Sequence, residues 1–134
     1  FGDILGMGVR DVTGDGQKEI VVAIMPNIGD VLIVTYDISL IEMSRFEVAE
    51  DYGTMFIEPF STAKQNIILS INTRDRSNSS VYLSWHDAMS GAEISRSPDL
   101  VGRVQNNSLN FVDVDSDGDN ELIFGTSKAM YLVH

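Results

Sequence analysis

The stretch Asp113-Val114-Asp115-Ser116-Asp117-Gly118-Asp119-Asn120-Glu121-Leu122-Ile123-Phe124 decides the reading of this chain. Its pattern occurs once more, as Asp11-Val12-Thr13-Gly14-Asp15-Gly16-Gln17-Lys18-Glu19-Ile20-Val21-Val22. Each copy places oxygen side chains at loop positions 1, 3 and 5, glycine at 6, a carboxylate at 9, and then an apolar run. Alternate residues of a short loop point inward, so positions 1, 3 and 5 converge. Glycine supplies the sharp turn at position 6 without a Cβ clash. Position 7, Gln17 or Asp119, would offer its backbone carbonyl, and Glu19 or Glu121 would close the shell. Such an oxygen-only donor set suits a hard cation such as Ca²⁺.

An EF-hand would end its loop in a glutamate at position 12 and flank it with helices. Position 12 is Val22 in one copy and Phe124 in the other, neither of them a ligand. The runs Ile20–Ile24 and Leu122–Phe124 read as buried strands. Both loops are therefore expected inside β-hairpins. The second carries four carboxylates, Asp113, Asp115, Asp117 and Glu121. The first carries three, because Thr13 replaces an acid, and Lys18 sits nearby. The second is expected to bind its cation more tightly. The competing reading of each loop is a plain Asp-Gly turn.

The loops begin 102 residues apart, at 11 and 113, or two periods of 51. Periods of this size mark repeat architectures, including propellers of four-stranded blades. Four short β runs with turn signals between them fill the first period: Ile4–Val12, Glu19–Ile24, Asp30–Tyr36 and Leu40–Val48. Another four fill the second: Met55–Phe60, Asn66–Ile71, Val81–His86 and Ala92–Arg96. The third begins with Leu109–Val114, Leu122–Gly125 and Met130–Val133, one strand short of four. Nothing reads as a long amphipathic helix. The sequence thus predicts an all-β chain, a segment of a β-propeller with about two and three-quarter blades. The first spans about 1–51, the second about 52–102 and the partial third about 103–134. The middle unit has Pro59-Phe60-Ser61-Thr62-Ala63-Lys64 where the acids would fall, so its hairpin is expected to be metal-free. A propeller closes a ring of roughly four to eight blades. The remaining blades are expected from the parent chain or from a partner chain.

These residues resemble the FG-GAP, or integrin-alpha-like, β-propeller repeats. Phe1-Gly2 matches the opening of that repeat, and the acidic core pattern is matched at 11–20 and 113–122. Gly125 stands where the family has glycine after the apolar run, whereas the first copy has Ala23 and a displaced Pro26. The middle unit departs further. The resemblance implies a structural Ca²⁺ in two of three blades and a recognition or scaffold role, usually extracellular or at a cell surface. Carried over, the ligands are Asp11, Thr13, Asp15, Gln17 (carbonyl) and Glu19, then Asp113, Asp115, Asp117, Asp119 (carbonyl) and Glu121.

Of the 134 residues, 20 are acidic and 9 basic, a formal net charge of −11. That balance argues against nucleic acid, which requires a basic patch, and against an anionic membrane surface. No apolar run approaches a membrane span. With no cysteine the chain has no disulfide or thiol chemistry. A Phe-Gly start is expected of a processed product or a piece of something longer. Asn78-Ser79-Ser80 and Asn106-Asn107-Ser108 are glycosylation sequons.

An enzyme would need a catalytic constellation. His86 lies on a strand beside Ser84, Trp85 and Asp87, where sequence neighbours point to opposite faces. It is expected to be a half-buried structural histidine. There is no nucleophile elbow, phosphate loop or zinc signature, and a closed structural cation does no chemistry. Trp85, Tyr82, Tyr36, Tyr52 and Phe56 read as packing between blades. Arg74–Ser80 reads as an exposed turn.

The expected function is thus a non-catalytic, calcium-stabilised module for recognising a protein or glycan. One alternative is the accessory propeller of a secreted carbohydrate-active enzyme. Another is a scaffold subunit of a large, intracellular assembly.

Overall fold

The computed structural model describes residues 2–27, 30–49, 54–61, 66–73, 80–104, 108–118 and 120–133. Among these the chain is all-β, with no helix and no closed sheet. Among the described residues no helix is long and apolar enough to cross a membrane.

The first sheet comprises β1 (Asp3–Arg10), β2 (Glu19–Asn27), β3 (Asp30–Tyr36) and β4 (Glu42–Ala49), antiparallel in chain order. The second runs β5 (Thr54–Ser61), β6 (Asn66–Thr73), β7 (Ser80–Asp87) and β8 (Glu93–Arg96). A two-residue strand, β9 (Leu100–Val101), pairs with the start of β7. The third sheet holds β10 (Asn110–Val112), β11 (Glu121–Gly125) and β12 (Met130–Val133).

Alternation along the strands assigns the faces. On β2, Glu19, Val21 and Ala23 are buried while Ile20, Val22 and Ile24 are half-buried. Residues directly opposite in an antiparallel pair share a face. Ala23 lies opposite Ile33, and Ile33 opposite Phe46. This face joins a core of Val12, Val21, Ala23, Val31, Ile33 and Val48 with Ile68 of β6 and Ala88 in the turn after β7. Successive residues of β7 serve opposite layers. Val81, Leu83 and Trp85 join a second core with Leu122 and Phe124 of the third sheet. His86 points the other way and stacks on Phe46 of β4, with ring centroids 6.5 Å apart. The second sheet is therefore the middle layer of three.

One glycine is required at the first junction. Gly91 adopts φ +73°, and a Cβ there would run into the Phe46 ring. The turn before β4 carries a different strain. Leu40 sits at φ 62°, uncommon for a branched non-glycine residue, with Asp37 bonded to Leu40 and Ile41 across the turn. This turn starts β4 at Glu42 rather than at the expected Leu40. The two-residue β9 is absent from the sequence reading, because so short a run carries no periodicity.

Candidate metal centres in the two acidic loops

Both loops connect adjacent antiparallel strands, β1 to β2 and β10 to β11. Their backbones match. Positions 4 and 6 are left-handed in each: Gly14 (φ 79°) and Gly16 (φ 87°), then Ser116 (φ 66°) and Gly118 (φ 96°). A Cβ on Gly16 or Gly118 would meet nothing within 4 Å. Dihedral angle rather than space calls for glycine there. Ser116 adopts the same region with a side chain, which the spacing alone did not reveal.

The hydrogen bonds also match. Gly14 N–H donates to Asp11 Oδ1 (2.6 Å) and Gly16 N–H to Asp11 Oδ2 (2.9 Å). In the second loop Ser116 N–H donates to Asp113 Oδ1 (2.6 Å) and Gly118 N–H to Asp113 Oδ2 (3.1 Å). The glutamate clamps the start of the loop. Glu19 Oε2 accepts from Val12 N–H at 2.8 Å and Thr13 N–H at 3.3 Å. Glu121 Oε2 accepts from Val114 N–H at 2.8 Å. Both glutamates are buried, although each begins a strand beside an exposed loop. The motif marked them as closing ligands; their clamping of backbone N–H groups emerges only in three dimensions.

Carboxylate oxygens of Asp11, Asp15 and Glu19 lie within 4.8 Å of one another. So do those of Asp113, Asp115 and Asp117, a trio that does not include Glu121. Oxygens bound to one Ca²⁺ at about 2.3–2.6 Å stand at most about 5 Å apart, so each trio fits the reach of one such ion. Burial pushes the Asp11 carboxyl up. The N–H groups of Gly16, Gly14 and Asp15 and the Thr13 hydroxyl outweigh it and hold the group below the usual aspartate value. These donors stabilise the anion.

The other expected ligands are placed less closely. Thr13 Oγ1 is 3.5 Å from Asp11 Oδ1. Gln17 N–H donates to Asp15 Oδ1 at 2.8 Å. Asp119 lies outside the described residues, as do the middle-unit loop 62–65, the turn 74–79, Tyr52, Asn78 and Asn106. The Phe56 side chain does too. Beside the first loop is a cavity of about 300 Å³ that sequence reading missed. Asp15, Lys18 and Glu19 line one side and Asp37, Ile38 and Met43 the other. Its only sequence signal is the apolar turn Ile38-Ser39-Leu40-Ile41.

His86 differs from the expected half-buried residue: it is 5 % exposed. Ser84 and His86 are two residues apart, so they share a face, and Ser84 Oγ lies 3.0 Å from His86 Nε2. The Gly91 carbonyl accepts from Nδ1 at 3.2 Å, which leaves Nε2 to accept from the Ser84 hydroxyl. Ser84 has no exposed surface. Asp87 instead caps the following turn, accepting from Met89 N–H, Ser90 N–H and the Ser90 hydroxyl. Through His86 the Ser84 pair is tied to the turn between β7 and β8. Tyr82 is buried beneath the Arg96 guanidinium, 4.4 Å from the ring centroid. Trp85 packs in the second core, and Tyr36 is half-buried.

No protein-family model, curated protein or solved structure matches this chain.

Proposed function

We propose that the chain is a segment of a calcium-stabilised β-propeller, similar to FG-GAP repeats, that works as a non-catalytic recognition or scaffold module. The observation that carries this reading is the repeated loop. Two hairpins in separate sheets share one carboxylate-to-backbone hydrogen-bond pattern, and each gathers three carboxylates within 4.8 Å. A plain turn needs one aspartate acceptor, not three acids facing each other. Like charges so close repel, and a divalent cation reverses the sign of that interaction.

The mechanism is thermodynamic. A cation that binds the folded loop and not the unfolded chain turns binding energy into folding energy. At a free concentration about a hundredfold above the dissociation constant, the gain is roughly 2.7 kcal/mol per site. Extracellular calcium would support such a gain, so the location proposed for the module is a cell surface or outside the cell. Its ligand would be a protein or a glycan met by the loops.

Thermal melting across a calcium titration tests the proposal, with Asp113→Ala and Asp11→Ala beside the unsubstituted chain. Calcium is expected to raise Tm, and each substitution to remove part of the rise. A Tm indifferent to millimolar calcium would reduce both loops to turns. The exposed apolar side chains Ile4, Met7 and Val9 of β1 and Met130 and Leu132 of β12 favour a second reading, in which the module is a scaffold subunit within a larger assembly.

A further inference from the structure

The turn that joins β3 to β4 presents apolar side chains to solvent. Ile38 is 70 %, Leu40 69 % and Ile41 63 % exposed. The turn connects adjacent strands of one sheet. Its shape is fixed by four hydrogen bonds. Asp37 Oδ1 accepts from Ser39 N–H and from Ile41 N–H, both at 2.8 Å. Asp37 N–H donates to the Ile41 carbonyl and Leu40 N–H to the Asp37 carbonyl, each at 3.0 Å. Leu40 is held at φ 62° in this frame, where glycine or asparagine would sit with less strain. Strained backbone of this kind clusters at binding sites, and exposed apolar side chains gathered in one place mark interaction surfaces.

Beside this patch the chemistry changes. Ile38 and Met43 also line the cavity of about 300 Å³ next to the first acidic loop. Its charged lining is Asp15, Glu19 and Asp37 against Lys18, three negative groups to one positive. Two of these acids keep an oxygen uncommitted. Glu19 is only 2 % exposed and takes both of its backbone N–H groups on Oε2. Asp37 takes both of its own on Oδ1. Among the described residues no hydrogen bond reaches Glu19 Oε1 or Asp37 Oδ2. A buried anionic oxygen without a donor is unfavourable, and a cationic N–H group supplies the strongest kind of donor.

We propose that this corner of the first sheet docks a protein segment in which a lysine or arginine stands between apolar residues. The cationic head enters the cavity towards Glu19 and Asp37, and its aliphatic stem lies along Ile38 and Met43. The flanking apolar residues cover Ile38, Leu40 and Ile41. Charge selects this occupant. A lipid surface would suit the apolar tip alone, but anionic headgroups would face a chain of net charge −11. An acidic segment would meet the same repulsion. Calcium and the segment compete, because Asp15 and Glu19 belong to the first acidic trio and a cation held there cancels the charge that attracts the basic head. The segment then weakens calcium by the same factor, since such coupling is reciprocal. This competition rests on the metal reading above; the docking itself rests on the turn and the cavity.

The test is fluorescence polarisation of the 134-residue chain with a labelled, end-capped peptide Leu-Lys-Leu-Lys-Leu, in chelator. The peptides Ser-Lys-Ser-Lys-Ser and Leu-Glu-Leu-Glu-Leu are expected to bind at least about tenfold more weakly. Leu40→Asn with Ile41→Ser strips the apolar tip, and Asp15→Asn removes one charge at an exposed position. Each is expected to raise the dissociation constant several-fold while the variant still melts cooperatively. Equal binding of the Ser-Lys peptide would overturn the proposal, because the net charge of the chain then suffices. Affinity unchanged by the tip variant would overturn it too. So would sedimentation of the chain with phosphatidylserine vesicles while the peptide stays free, a result that gives the tip to lipid. Millimolar calcium is expected to weaken the peptide at least about tenfold. If calcium raises Tm but leaves peptide affinity unchanged, the cavity is not where the cation head sits and the proposal fails. If calcium changes neither, the metal reading falls and the docking, read in chelator, stands.

Discussion

Glu19 is both a backbone clamp and one of three crowded carboxylates, and Glu19→Gln separates the two roles. The amide oxygen still accepts from Val12 and Thr13 N–H. Charge-assisted bonds are roughly twice as strong as neutral ones, so weakening two of them costs about 1 kcal/mol. Against this stands repulsion from two carboxylate neighbours within 4.8 Å. Coulomb's law gives about 0.9 kcal/mol for each at the dielectric of bulk water, and more at the lower effective value near protein. The separation is inside the Debye length of about 8 Å at physiological salt. Without metal, relief of about 2 kcal/mol or more exceeds the loss, and Glu19→Gln stabilises the fold by about 1 kcal/mol. At about 4 °C per kcal/mol for a domain of this size, Tm in chelator rises by about 4 °C. With calcium the order inverts, because the amide brings no charge to the cation. Glu19→Ala loses the clamp as well. It leaves the buried Val12 N–H without its acceptor, a loss of about 1–3 kcal/mol, and melts below Glu19→Gln in both buffers. Differential scanning calorimetry in chelator and in millimolar calcium reads all three chains. A lower Tm for Glu19→Gln in chelator, or an undiminished calcium response, would refute the crowding argument.

Three further outcomes follow from individual sites. Thr35 Oγ1 is fully buried and has no hydrogen-bond partner among the described residues, so Thr35→Val is expected to stabilise by about 1 kcal/mol in urea unfolding; a destabilised variant would mean the hydroxyl is satisfied. Leu40→Asn places a residue tolerant of left-handed backbone at φ 62° and removes an exposed apolar side chain. It is expected to raise stability by about 1 kcal/mol, and an unchanged denaturation midpoint would count against strain in the turn. The Ser90 N–H and hydroxyl, with Met89 N–H, hold the Asp87 carboxyl below the usual aspartate value of 3.8. Its folded-state affinity for protons is lowered, so its contribution is complete above pH 3.8 and fades as pH falls through the depressed folded value. The Tm difference between the unsubstituted chain and Asp87→Asn is therefore expected to be constant near neutrality and to shrink at the acid end. A difference independent of pH would refute the capping role.

Local chemistry was legible in the sequence. Short apolar runs between turn signals placed β2 and β7, since a continuous apolar stretch of that length marks a buried strand. The spacing of Asp11, Asp15 and Glu19 marked a convergent loop, because the short-range geometry of a turn is set by a few consecutive dihedral angles. Long-range relations were not legible in this way. The pairing of Ser84 with His86, the stacking of Phe46 on His86 and the clamp of Glu19 on Val12 N–H depend on how strands are aligned and layered. Glu121 stands apart from the trio of Asp113, Asp115 and Asp117, although its spacing equals that of Glu19.

By itself the sequence determined that the chain is all-β, where most strands lie, and which two turns concentrate acid. Each of these follows from local periodicity and from residues whose backbone preferences act within a few positions. Only the tertiary structure decided that the second sheet is the middle layer and that Gly91 must be bare to admit Phe46. It also decided that Met7 of β1 stays exposed while Val34, on the same face of the first sheet, is buried. A side chain's alternation states which face it occupies, but not what lies across that face. Only the packing of one sheet against another supplies that.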